Sequence, residues 1–304
     1  MNEKLKLAPA YLLPNWRAFV HPEGQIYFAR STQPVVVTEA CISIQKVGDE
    51  ISAWTALIEA RIVDLGIYLT ASVEIWMNLG ETEGTLQYYF IDHSKHSVFW
   101  LDDLHTAAVG LPESVSASHL QHAIEENYWS HVEQFPCHGQ GASLSEVDDL
   151  INIMFHARAA VDQLTSDNST FPYTAEECAT FLQLLRESRD RISDARITCF
   201  VARIWGVIAL HRHQIHYGEE VCRLSRTQPI LEAMPTKSSF VHRALSRVLF
   251  GVPETYRSQL DDLYVDNILY LSQWEKFVKE VSAEYRTSTQ WVRRHAYPGY
   301  TYAG

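Results

Sequence analysis

No apolar run in this 304-residue chain approaches the ~20 residues that a membrane-spanning helix needs. The longest, from Phe200 to Leu210, is broken by Arg203. No transmembrane segment is expected, and the opening MNEKLKLAPAYLLPNW has two lysines but no apolar core of a signal peptide. Cysteine is sparse: five residues, at 41, 137, 178, 199 and 222, with no CxxC spacing. An odd, scattered set argues against a disulfide framework or a cysteine-rich zinc site, and favours a reducing, cytoplasmic compartment. Positive charge is also short. There are 25 Lys and Arg against 37 Asp and Glu, a formal net charge of -12, and no basic run. Such a surface repels phosphate backbones and anionic lipid, so nucleic acid is not an expected partner. A GxSxG nucleophile element is missing, and so is a glycine-rich phosphate loop after a strand. Gly139 and Gly141 lie in a polar loop. Nothing calls for a cofactor.

What is present is ordinary globular composition, 46% hydrophobic and 20% charged, long enough for a sizeable core. Two stretches look alike: LPNWRAFVHPEGQIYFARSTQPVVVTEA from Leu13, and IWMNLGETEGTLQYYFIDHSKHSVFW from Ile75. A shift of 62 positions puts Tyr27 and Phe28 on Tyr89 and Phe90, and Thr38 on Trp100. Each carries a Trp, a glycine-containing turn, an aromatic strand, a polar turn and an apolar strand. That order predicts a three-stranded antiparallel meander at about 12–38 and another at about 75–100. Between them, Ile51, Trp54, Ile58, Ile62 and Leu65 recur at helical spacing.

From Ser114 onward the pattern is helical. Ser143 with Glu146, and Thr174 with Glu177, have capping-box spacing. Helices are predicted near 117–135, 144–165, 174–190, 192–217, 238–250 and 263–286, with Gly218 closing the fourth. The fourth, apolar through Ile197, Phe200, Val201, Ile204, Trp205 and Ile208, reads as the buried central helix. The expected fold class is therefore mainly α: residues 1–112 form a small α+β region with the two meanders, and 113–304 a helical domain.

The two β-units resemble WW domains. Leu13, Pro14 and Trp16 look like the opening Leu-Pro-x-x-Trp element, and Gly24 to Phe28 like its turn and second strand. Tyr89 to His93, followed by Trp100, look like the second and third strands. The resemblance implies that Trp16, Tyr27 and Trp76 are structural aromatics. It also implies that Tyr89, His93 and Trp100 form a clamp for a proline-rich protein partner. In the first unit Ser31 and Thr38 stand where that clamp would be. The whole chain is also similar to a WW-domain-like family of mushroom-forming fungi, in segments such as STFPYTAEEC, HYGEE and RLSRTQ. Some of its members continue into a C-terminal membrane segment, and that family implies no chemistry.

Three further groups have ligand-like spacing. His119, His122 and Glu126 share one face of the 117–135 helix, with His131 and His138 nearby; His and carboxylate at i, i+4 can share a metal. His211, His213 and His216 crowd the end of the fourth helix, where imidazoles also suit the helix dipole. Asp262 and Asp266, in DDLYVD, resemble the aspartate-rich magnesium motif of class I terpene cyclases. Each group also reads as a solvated face or a helix terminus. The expected role is a protein-interaction or scaffold protein built on the aromatic β-units. The alternative is an enzyme or ligand-binding protein with a pocket in the helical domain.

Overall fold

The computed structural model describes residues 12–139, 141–164, 169–231, 252–266, 268–269 and 271–296. Among the described residues helix predominates over strand. The chain divides into two compact units. One is formed by Met1–Thr165 and Tyr173–Glu220, the other by Ser166–Pro172 and Val221–Gly304.

In the first unit, β1 (Trp16–Val20), β2 (Ile26–Arg30) and β3 (Val35–Thr38) pair antiparallel in chain order. So do β4 (Val73–Leu79), β5 (Leu86–Asp92) and β6 (Ser97–Phe99). The pairing between the two sets overturns the mainly-α class with separate WW-like meanders. β3 runs parallel to β4, Val36 opposite Ile75, and all six strands make one mixed sheet in the order β1 to β6. The fold is α+β. A parallel pair needs a long crossover, and α1 (Gln45–Asp64) lies in it. The physical reason for the correction is the seam itself. Val36, Val37 and Ile75 are completely buried there, whereas a free-standing meander leaves its edge strand in water.

Side-chain alternation builds two faces. Phe28, Val36, Val73, Ile75, Met77 and Phe90 point to one face and form a core with Ile51, Ile58 and Ile62 of α1. Tyr27, Ala29, Val37 and Trp76 point to the other, where Phe135 packs on them. Phe135 caps the end of α2 (Ala117–Gln134). The remaining helices of this unit are α3 (Leu144–Leu164), α4 (Ala175–Ser188) and α5 (Ala195–Gln214). α2 packs along α5 and α3 along α4. Both expected capping boxes form: the Ser143 and Thr174 hydroxyls accept from Glu146 and Glu177 N–H, each at 3.2 Å. α5 buries Val201, Ile204, Trp205 and Ile208, and Trp205 stacks on Trp129 of α2 at 5.6 Å. It stops earlier than predicted. The first left-handed residue after it is His216 (φ 55), ahead of Gly218.

In the second unit, α6 (Val252–Leu263) leads into a hairpin of β7 (Tyr264–Val265) and β8 (Ile268–Leu269), then α7 (Leu271–Ala296). The hairpin replaces the first turns of the helix predicted from 263. Asp266 (φ 52) takes the left-handed backbone in its turn, a conformation Asp tolerates better than most residues. The helix predicted over 238–250 lies outside the described residues. Among the described residues, no helix is long and apolar enough to cross a membrane.

Candidate functional site

β4 carries the sequence Val73-Glu74-Ile75-Trp76-Met77, and alternation turns Glu74 to the face shared with Trp76 and Tyr27. Its carboxylate is almost wholly buried, which costs several kcal/mol unless hydrogen bonds replace the lost water. Two imidazoles supply them, and a third stands at ion-pair distance. His131 of α2 bonds through Nε2 to Oε1. His138, just past α2, bonds Oε2 through Nε2 at 2.9 Å, and the His93 Nε2, just past β5, stands 3.4 Å from the same oxygen in ion-pair contact.

A carboxylate only accepts hydrogen bonds, so His131 and His138 donate to it through Nε2–H. Each Nδ1 meets a tyrosine hydroxyl: Tyr89 at 3.2 Å from His131, Tyr27 at 3.3 Å from His138, and Tyr128 at 3.3 Å from His93. The Tyr27 oxygen also accepts the Cys137 N–H at 2.8 Å. The result is three Tyr–His arms converging on one carboxylate.

Burial pushes the Glu74 carboxyl up, but the electrostatic pull of His131 and the contacts of the three imidazoles outweigh it. The group sits well below the usual carboxylate range. Burial pushes His131 down, against the opposing pull of Glu74, so its neutral form is favoured. The hydroxyls of Tyr27, Tyr89 and Tyr128 are all pushed up, burial being the main cause, and stay protonated.

This network lines a cavity of about 620 Å³ between β4, the end of α2 and the start of α3. Glu74, His93, His131 and His138 stand on its wall, with Tyr128, Trp129 and Phe135 as aromatic surface. Gly141 (φ +79) forms part of the loop side. A Cβ there would lie 2.9 Å from Thr198 Oγ1 and 3.0 Å from the Ile192 carbonyl, so the loop closes against α5 only with glycine. Glu146 of α3 also faces the cavity and bonds His96 Nε2 at 2.8 Å, tying the β5–β6 turn to α3.

The structure brings two of the three clamp residues into this network. Tyr89 is stacked on Trp76 at 4.7 Å and bonded inward to His131, and His93 faces Glu74. Trp100, half-buried, follows β6. Trp16 and Tyr27 are buried core residues, and Trp76 is half-buried.

The other ligand-like groups take different roles. His119 is buried with both ring nitrogens in use: Nδ1 accepts from the Val115 N–H at 3.1 Å, and Nε2 donates to the His213 carbonyl at 2.7 Å. Its ring lies against His213 and His216, with centroids at 4.0 and 4.2 Å. His122 Nε2 donates to the Tyr217 carbonyl at 3.1 Å, and burial raises the carboxyl of half-buried Glu126. The Asp266 carboxylate is taken by the buried Arg223 guanidinium and by the Ile230 N–H at 2.7 Å. The side chain of Asp262 lies outside the described residues. Among the described residues, no three His, Cys, Asp or Glu side chains are grouped as a metal site.

No family model matches the chain, and neither a curated protein nor a solved structure is significantly similar to it.

Glu74 was missed by motif reading, although one signal pointed to it. VEIWM is apolar at both parities, as a strand buried on both faces must be, so the glutamate inside it has to be a buried charge with partners. Which partners it has cannot be read locally. His93, His131 and His138 are 19, 57 and 64 residues away.

Proposed function

We propose that the chain is an enzyme acting on a small molecule, with proton transfer at His93 as its central step. The observation that supports this is the buried Glu74 carboxylate orienting imidazoles on the wall of a 620 Å³ cavity. A cavity of several hundred Å³ with converging titratable groups is the usual form of a small-molecule site. Of the three imidazoles His93 is the most accessible: its side chain is 37% exposed, against 1% for His131 and 6% for His138.

The division of labour follows from the hydrogen bonds. Glu74 holds the His93 Nε2–H and stabilises the imidazolium that forms when Nδ1 gains a proton, the part an acid plays behind a catalytic histidine. Tyr128, at Nδ1, relays that proton. It passes its own hydrogen to His93 as its oxygen takes one from the substrate or an attacking water. The proline-clamp reading needs Tyr89, His93 and Trp100 as an open aromatic slot. The inward bonds of Tyr89 and His93 favour the cavity instead.

The test is hydrolysis of p-nitrophenyl acetate, a general probe of acid–base sites. His93→Ala is expected to lower kcat/KM by about 10²-fold or more, while His105→Ala, at an exposed position, leaves it unchanged. Equal rates for the wild type and a folded His93→Ala variant would overturn the reading.

A further inference from the structure

The charge lining the cavity points to a class of ligand. Its carboxylates, Glu74 and Glu146, both sit below the ordinary carboxylate range. Among the described residues no Lys or Arg side chain lines it, and burial favours the neutral form of His131. A neighbouring cavity of about 420 Å³, which Tyr27 lines, also carries carboxylates, Glu23, Glu39 and Glu133, the first and last of them paired with Arg203. The whole chain carries a formal charge of -12, and a low-dielectric cleft focuses such a field toward its interior.

Tyr128, Trp129 and Phe135 add aromatic surface to the wall of the larger cavity, beside aliphatic Val35, Val73 and Val132 and neutral polar Gln33, Ser72 and Ser143. Ring faces attract cations and do nothing for anions. Two carboxylates and three aromatic rings, with no Lys or Arg among the described lining residues, form a surface that disfavours phosphates and carboxylates and suits positive charge.

We propose that the ligand of this cavity is a small organic cation, an amine or quaternary ammonium compound. This rests on the reading of the cavity as a small-molecule site and adds the charge of what enters it. The positive group is held by the field of Glu74 and Glu146, and its organic part packs on the aromatic and aliphatic lining. Direct ion pairing with Glu74 is not required, because both its oxygens already accept from imidazoles.

The experiment compares three probes of one shape and different charge, benzylamine, benzyl alcohol and benzoate, by titration calorimetry on the full chain at pH 7. Benzylamine is expected to bind at least tenfold more tightly than benzyl alcohol, and benzoate more weakly than either. Glu146→Gln is expected to reduce the preference for benzylamine severalfold while leaving benzyl alcohol affinity within twofold. Benzyl alcohol or benzoate binding as tightly as benzylamine would overturn the charge assignment and leave the small-molecule reading standing. If none of the three binds, the cavity reading beneath both proposals is overturned. Should Glu146→Gln unfold the protein, the wild-type order of the three probes still decides the question.

Discussion

Glu74 concentrates the energetics of the candidate site in one side chain. It is an anion held where water cannot reach, and among the described residues its three imidazole partners contact no other carboxylate. Glu74→Gln keeps the shape and removes the charge. It also presents an amide donor to Nε2–H groups that donate, so at least one polar contact becomes repulsive. The expected loss of stability is about 3 kcal/mol, read as a lower urea midpoint at pH 7. A change below about 0.5 kcal/mol would show that the carboxylate does not hold the three arms together. Residue chemistry of this kind is half legible in the sequence. A glutamate within VEIWM announces a buried charge, whereas His131 and His138 look like any other polar residues near the end of a helix.

Elements show where local pattern succeeds and where it stops. Helix starts at Ser143 and Thr174 were legible because a capping box is a contact between residues three apart. Strand content in both aromatic stretches was legible for the same reason, since alternation and turn glycine are local. The seam between β3 and β4 was not, because it joins residues nearly forty positions apart. That seam changes what the first β-stretch can do alone. A peptide of residues 12–40 keeps Trp16, Tyr27 and Phe28 but loses β4 against Val36 and the α1 face against Phe28. It is expected to be unfolded in water by circular dichroism and to show no cooperative thermal transition. A folded, cooperatively melting peptide would restore the picture of a free-standing module.

At the scale of the whole molecule, the histidines make stability depend on pH with a definite sign. His213 is pushed down to about 4 from 6.5, chiefly by burial and then by its neighbours His119 and His216. Burial lowers His131 as well. The folded state therefore requires these imidazoles neutral. As pH falls below 6.5 the unfolded chain takes up protons that the folded one refuses, and stability drains away down to about 4. Glu74 acts further down. Its contribution is intact above the ordinary carboxylate range and is lost as pH falls through its depressed folded value. His96 works the other way. Its hydrogen bond to Glu146 raises it, so that contribution is complete below 6.5 and fades as pH rises through the folded value. The two depressed imidazoles outweigh the raised one, so the urea midpoint is expected to fall between pH 7 and pH 5. His213→Gln should flatten part of that slope. A midpoint that rises over the same interval would contradict the assignment.

The sequence by itself determined the acidic surface, the absence of an apolar membrane-length run, the helix boundaries set by caps and the aromatic strands, because each depends on composition or on residues within a few positions of one another. Tertiary structure alone decided that the two meanders share one sheet, that Glu74 gathers three distant histidines, and that Tyr89 and His93 turn inward toward a cavity. Those outcomes depend on which buried surfaces meet. A chain satisfies a buried carboxylate or an open strand edge with whatever partner the fold brings within reach, and local pattern records the need without recording the partner.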